Sequence, residues 1–302
     1  MIIDTHAHIV ADDPQRYPPA PLGGNLEPGI LDDPVTAERL LRLMDHNQVD
    51  RAVLVQRAHV YGYDNSYVVD SARRYPDRLS AVICIDAEDE QAPAQIRHWI
   101  GERGAMGLRL VAPGATSPTV ATPGLGMDWF AGARALRAWE TAAELGASVC
   151  IHFFRWNRVE GLWALQRIAA RFPATKIALD HVSNIAAEEG APDYGLDDAL
   201  RALCAYRNVY QKITTINFSR LVAQAKPLAP VADRVVQVCG ADRVMWGSDI
   251  AQSKGTYAQM LAWAQAALAD LGAREQVLGS TAAEIYGLGE TNARSMPAIH
   301  HP

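Results

Sequence analysis

Met1-Ile2-Ile3-Asp4-Thr5-His6-Ala7-His8 opens the chain and decides how the rest is read. Ile2 and Ile3 read as the end of a buried strand, after which histidines stand at i and i+2. Successive strand side chains alternate between faces, so His6 and His8 aim at one point, as two ligands of a single metal ion must. Two histidines in an N-terminal loop would give the same letters. The motif therefore needs an answer elsewhere in the chain.

Further short apolar runs follow: Ala52–Gln56, Ser80–Ile85, Met106–Leu110, Ser148–His152, Lys176–Asp180, Val209–Ile213 and Arg243–Gly247, with Ile2–Asp4 as the first. They are continuous rather than alternating, as parallel strands buried on both faces must be. Helical stretches separate them. Asp33-Pro34 offers an N-cap and a helix-starting proline before Ala37–Asp45. Leu162, Leu165, Ile168, Ala169 and Phe172 share one helix face, as do Leu261, Ala264, Leu268 and Leu271. This alternation predicts a (β/α)8 TIM barrel as one domain over residues 1–288. A doubly wound sheet is the rival, but no Gly-x-Gly-x-x-Gly follows the first strand.

Long loops are expected after strands 1, 4 and 6, at Val10–Asp32, Val111–Asp128 and Val182–Leu196. In a barrel such loops meet at the carboxyl face, where active sites are built. Residues 289–302 read as a C-terminal tail, flexible or reaching a neighbouring subunit of a homo-oligomer, with His300-His301 incidental.

Composition narrows the function classes. With 302 residues, 49% apolar and 21% charged, the chain has the make-up of a soluble globular protein with ample core. A net charge of -6 and the lack of a Lys/Arg run argue against a nucleic-acid surface. No apolar run approaches the roughly 18 residues of a membrane helix. The chain starts directly with a strand, so no signal peptide is expected. Cys84, Cys150, Cys204 and Cys239 are widely spaced without a Cys-x-x-Cys pattern, and are expected as reduced thiols of a cytoplasmic protein.

The residues that answer the opening motif lie at the carboxyl ends of the other strands. Gln56 ends the second strand, Arg109 lies in the fourth, His152 ends the fifth, His181 follows the sixth, Lys212 lies in the seventh, and Asp249 follows the eighth. In a closed barrel these ring one mouth. His6, His8, His152, His181 and Asp249 are ligand types for a divalent transition metal, zinc most often. Asp4, two residues before His6, is expected to orient a histidine or cap the loop rather than to ligate. Arg109, Arg155 and Arg57 are candidate binders of a substrate carboxylate, with Lys212 adding a point charge. Gln56, Tyr61 and Asn65 are candidate substrate contacts.

Asp4-Thr5-His6-Ala7-His8, the two later histidines and Trp246-Gly247-Ser248-Asp249 resemble the signature of the amidohydrolase superfamily, amidohydrolase-2 type. Val53-Leu54-Val55-Gln56 with Tyr61-Gly62-Tyr63-Asp64-Asn65, Gly107-Leu108-Arg109 and Val209-Tyr210-Gln211-Lys212 resemble the branch containing 2-pyrone-4,6-dicarboxylate lactonase and sugar lactonases. The fourth strand lacks the lysine that two-metal members carbamylate. The resemblance therefore implies one divalent ion, zinc first and manganese second, or a metal-free site as in some similar lactonases. His6, His8, His152 and Asp249 are the implied ligands, His152 matching the extra nitrogen of metal-binding relatives. On this basis the expected activity is lactone hydrolysis of a small carboxylated substrate. Asp249 would take and return the proton, and His181 would polarise the carbonyl. The alternative is metal-dependent decarboxylation of an aromatic or unsaturated acid.

Overall fold

The protein is described from a computed structural model covering residues 1–22, 24–113, 122 and 124–288. Eight strands form one sheet: β1 (Ile3–Ala7), β2 (Arg51–Val55), β3 (Leu79–Cys84), β4 (Gly107–Val111), β5 (Ser148–His152), β6 (Ile177–Leu179), β7 (Val209–Thr214) and β8 (Val244–Gly247). They pair in sequence order and all in parallel. Helices on the outside make this a nearly closed (β/α)8 barrel. β1, β3 and β8 are buried at every position; in β3 and β8 this gives nearly continuous apolar runs, whereas β1 buries Asp4, Thr5 and His6 as well.

The seam between β1 and β8 is tied by the two sequence motifs themselves. The Asp4 carboxylate accepts the Ser248 N–H at 2.8 Å, the Thr5 hydroxyl donates to the Trp246 carbonyl at 2.6 Å, and the Asp249 N–H donates to the His6 carbonyl at 2.7 Å. Gly247 is required here, because a Cβ would lie 2.5 Å from the Cβ of His6. The β1–β2 register shifts between Asp4 and Ala7. Such irregularities re-aim side chains beside active sites. At the other end of the barrel the helix Thr281–Tyr286 forms a plug. Ile285 and Tyr286 join Ile3, Val53, Val55, Val82, Cys150, Ala178 and Met245 in an interior cluster.

Local departures from expectation have physical reasons. The N-cap of Ala37–His46 is Thr36, whose side chain accepts from the Arg39 N–H, and not Asp33. Asp33 instead pairs with the Arg39 guanidinium at 2.5 Å. β1 runs through His6 to Ala7, and β6 ends at Leu179, before a left-handed run from His181 (φ 56°) to Asn184.

The expectation of four reduced thiols needs correction. Cys204 and Cys239 form a disulfide with a Cα–Cα distance of 5.0 Å, and Cys84 and Cys150 are free and buried. The bonded pair terminates the helices Asp198–Cys204 and Ala229–Cys239, which meet only through the fold. Among the described residues, no helix is long and apolar enough to cross a membrane. The expected tail, 289–302, and most of the loop after β4 lie outside the described residues.

Candidate active site

The site is built on β1 and on the turn after β8. His8 Nδ1 donates to the Val55 carbonyl at 2.7 Å, which leaves the Nε2 lone pair free. His6 Nδ1 lies 3.2 Å from the Asp180 carboxylate, closer than the Lys212 ammonium at 3.5 Å, so its proton sits toward Asp180 and its Nε2 is likewise unprotonated. Both Nε2 atoms face one oxygen, Asp249 Oδ1, at 3.5 Å from His6 and 3.3 Å from His8. Three acceptor atoms thus converge with no donor between them. Among the described residues, His6 Nε2 and Asp249 Oδ1 are buried without a hydrogen-bond partner. Such a cluster needs a cation. Ligands held at zinc–ligand distances around a tetrahedron lie roughly 3.4 Å from one another, so the observed separations suit one. His181 joins them, with ligand atoms of His6, His181 and Asp249 all within 4.8 Å of one another.

Burial pushes the pKa of His6, His152 and His181 well below the ordinary histidine value, in each case against a nearby carboxylate. These rings are neutral and ready to ligate. Burial works to raise the Asp249 carboxyl, but the group is held below the usual range, with the Ser253 hydroxyl donating to it at 2.6 Å. His181 Nδ1 is 2.7 Å from the Thr214 hydroxyl, and its own carbonyl accepts from Asn217 Nδ2 at 2.9 Å. His152, half-buried at the end of β5, has Nδ1 3.2 Å from Arg109 Nη2. A guanidinium only donates, so the neutral His152 ring carries its proton on Nε2.

Asp180 was assigned no role in the sequence reading, yet it organises the layer beneath the histidines. Its carboxylate takes Arg109 Nε at 2.7 Å, Lys212 Nζ at 3.2 Å and the His6 contact, all fully buried or nearly so. Burial would raise its pKa, but Lys212, His6 and Arg109 drive it well below the ordinary value. The signal was available as charge balance: Arg109 and Lys212 are inward cations on β4 and β7, and an internal anion must answer them. Lys212 also lies 3.3 Å from Cys150 Sγ and over the Tyr286 ring at 6.0 Å, between the plug and the site.

The remaining predicted residues sit around the site in different ways. Gln56 donates through Nε2 to the Asp64 carbonyl. Asn65 is spent on the backbone, accepting the Cys84 N–H at 2.7 Å and donating to the Cys84 and Tyr63 carbonyls at 3.0 Å. The Tyr61 hydroxyl accepts the Ala11 N–H at 2.8 Å, pinning the loop after β1. Arg155 donates to Glu188 and to the Ile185 carbonyl in the loop after β6. Arg57, 2% exposed, donates through Nε to Gln252 Oε1 at 3.1 Å and reaches Glu27 at 3.4 Å. Asp4 is no ligand. It accepts from Ser248, from the His6 N–H at 3.1 Å and from the Tyr257 hydroxyl at 3.0 Å.

A barrel with convergent His/Asp donors at its carboxyl mouth defines a class of metal-centre α/β enzymes. The family model for amidohydrolases matches residues 3–288, and the chain belongs to that family. No curated protein matches the sequence. Among solved structures, a probable 2-pyrone-4,6-dicarboxylic acid hydrolase from Acinetobacter baumannii with citric acid bound is similar, with a TM-score of 0.71 and 17% identity, over 95% of this chain and 99% of that one. An amidohydrolase from Burkholderia multivorans with bound zinc has a TM-score of 0.67 and 19% identity, over 96% and 100%. A dihydroxybenzoic acid decarboxylase from Polaromonas sp. JS666 with bound manganese and 2-nitroresorcinol has a TM-score of 0.68 and 15% identity, over 98% and 99%.

Proposed function

We propose that the chain is a metal-dependent hydrolase that opens the lactone ring of a small carboxylated substrate. One observation carries the metal part: His6 Nε2 and His8 Nε2 point their lone pairs at Asp249 Oδ1 from 3.5 and 3.3 Å with no donor among them. His6, His8 and Asp249 would hold one divalent ion, zinc or manganese, with His181 as a further nitrogen whose ligand atom lies within 4.8 Å of those of His6 and Asp249. The sequence had put His152 in that fourth place and given His181 the carbonyl. The geometry supports the exchange, since the Arg109 contact leaves His152 with Nε2–H as a donor. A bound ion supplies Lewis acidity, which makes water a nucleophile at neutral pH.

The chain's own groups carry the protons. Water adds to the lactone carbonyl carbon, and Asp249 takes the proton released as the C–O bond forms. His152 Nε2–H donates to the carbonyl oxygen as it gains charge. The ring C–O bond then breaks, and the departing ring oxygen receives the proton from Asp249. Ser253 steadies the other carboxylate oxygen throughout.

The lactonase reading is supported by the resemblance of the stretches after β2 and in β4 and β7, and by the likeness to the pyrone dicarboxylate hydrolase. Decarboxylation of an aromatic or unsaturated acid is the second reading, favoured by the similar likeness to the dihydroxybenzoic acid decarboxylase. A panel of lactones and unsaturated acids in weak buffer separates them. Acid release without carbon dioxide is expected, and carbon dioxide release from an unsaturated acid overturns the hydrolase reading. Elemental analysis should find about one equivalent of zinc or manganese. Asp249→Asn should lower kcat by about a thousandfold or more. His181→Ala should lower the metal content, whereas His152→Ala should lower kcat with the ion retained. The opposite pattern restores the assignment made from sequence.

A further inference from the structure

Arg57 ends the second strand's turn into the site and is buried, with its side chain 3% exposed. A buried guanidinium cannot shed its charge, so its donors and its charge must be met by neighbours. They are met poorly. Nε is fixed by Gln252 Oε1, from the loop after β8. Among the described residues, Nη2 has only a long 3.4 Å contact to Glu27, a carboxylate that is itself 66% exposed, in the loop after β1. Nη1 is buried with no hydrogen-bond partner among the described residues. Burial lowers its pKa from the ordinary value, and neither Glu27 nor the charge of Asp249, which also reaches it, restores the shift.

This arrangement has a direction. With Nε held by a neutral amide, the Nη1/Nη2 end of the fork is the part left without a strong acceptor. That end is the geometry that binds a carboxylate through two parallel hydrogen bonds. Glu27 occupies one prong from a solvent-exposed position and can swing away. Gln252, which fixes Nε, donates its own N–H to the Asp249 carbonyl at 3.2 Å, so an anion on this fork would hold the rest of a small molecule beside the reacting centre.

We propose that Arg57 is the specificity-determining anchor for a substrate carboxylate, with Glu27 as a displaceable placeholder on the same guanidinium. The substrate class is a compact carboxylated ring whose electrophilic carbon lies one short spacer from the carboxylate. The inference rests on the reading of the His/Asp cluster as the reaction centre, but not on which bond is broken there.

The test uses the metal-loaded enzyme and its Arg57→Met, Arg57→Lys and Glu27→Gln variants. Binding of isophthalate, a dicarboxylate that neither reacts nor chelates, is measured by calorimetry. Kinetics compare a pyrone carboxylate with its methyl ester. Arg57→Met should weaken isophthalate by about a hundredfold and raise KM for the acid but not for the ester. Arg57→Lys, which keeps the charge without the fork, should recover part of both. Glu27→Gln should tighten isophthalate by about three- to tenfold, because a competing state is removed. A merely structural Arg57 would not give that gain. Unchanged binding in Arg57→Met, or weaker binding in Glu27→Gln, overturns the anchor. If no lactone is opened by the wild type while isophthalate still depends on Arg57, the anchor stands and the lactonase reading falls.

Discussion

Arg109 and Arg57 are both buried arginines near the carboxyl ends of barrel strands, and they live in opposite electrostatic worlds. Arg109 is locked to Asp180 at 2.7 Å, donates to His152 and shares its anion with Lys212. Its burial is compensated by a full internal ion pair, so its charge is committed to the scaffold. Arg57 has a neutral amide, one long contact to an exposed Glu27 and an unmet donor. Burial alone does not distinguish the two. What distinguishes them is whether the protein has already supplied the anion. From sequence, Arg109 was the preferred carboxylate binder, and the structure gives it an internal partner.

The largest effect should come from breaking the compensated pair. Arg109→Met leaves Asp180 buried with Lys212 alone and should cost about 3–5 kcal/mol, read from urea midpoints at fixed slope. Arg57→Met should stay within about 1 kcal/mol of wild type, because it removes a charge that was poorly matched. A stable Arg109→Met protein that has lost carboxylate binding would reverse the comparison.

How much of this was readable in advance differs between scaffold and site. The strands were legible because burial on both faces leaves continuous apolar runs, and their ends shifted by only a residue, except that β1 runs three residues further, to Ala7. β6 stopped early because the left-handed run at His181 is a tertiary requirement that no local propensity announces. The His/Asp cluster was legible because barrel closure gathers the carboxyl ends of strands at one mouth. Asp180 was overlooked because it stands beside His181 and reads as its neighbour, and its cations lie on β4 and β7. Glu27 and Gln252 come from loops without periodicity, so their approach to Arg57 exists only in three dimensions. The same holds for the Cys204–Cys239 pair.

Acid sharpens the comparison next. His6, His152 and His181 are held neutral in the folded chain, so below about pH 6.5 the unfolded chain binds more protons. Stability of the metal-free protein should therefore fall as pH drops from about 6.5, by up to about 1.4 kcal/mol per histidine per pH unit. Burial is the main cause for His152, and the Arg109 charge is the next. The acid slope of Arg109→Met should thus be shallower than wild type, while that of Arg57→Met should match it. Equal slopes in all three would mean that Arg109 does not act on His152.

The smallest effect concerns a buried carboxylate with no counter-ion against it among the described residues. Asp4 is fully buried at the barrel seam and, among the described residues, is served by hydrogen bonds from Ser248, His6 and Tyr257. Burial raises its pKa above the ordinary carboxylate value despite those donors. The sign is opposite to that of Asp180: a raised folded pKa means that the ionised form costs stability as pH rises through it. Tyr257→Phe deletes one donor to the carboxylate and should cost about 1 kcal/mol. The loss should be felt where Asp4 is ionised and should shrink at low pH, where a protonated carboxyl no longer depends on the tyrosine. Urea midpoints of wild type and Tyr257→Phe, followed from pH 8 down through the acid range, measure it. A penalty that does not change with pH would mean that the hydroxyl acts through packing, and that the seam is held by the backbone contacts of Ser248 and His6 alone.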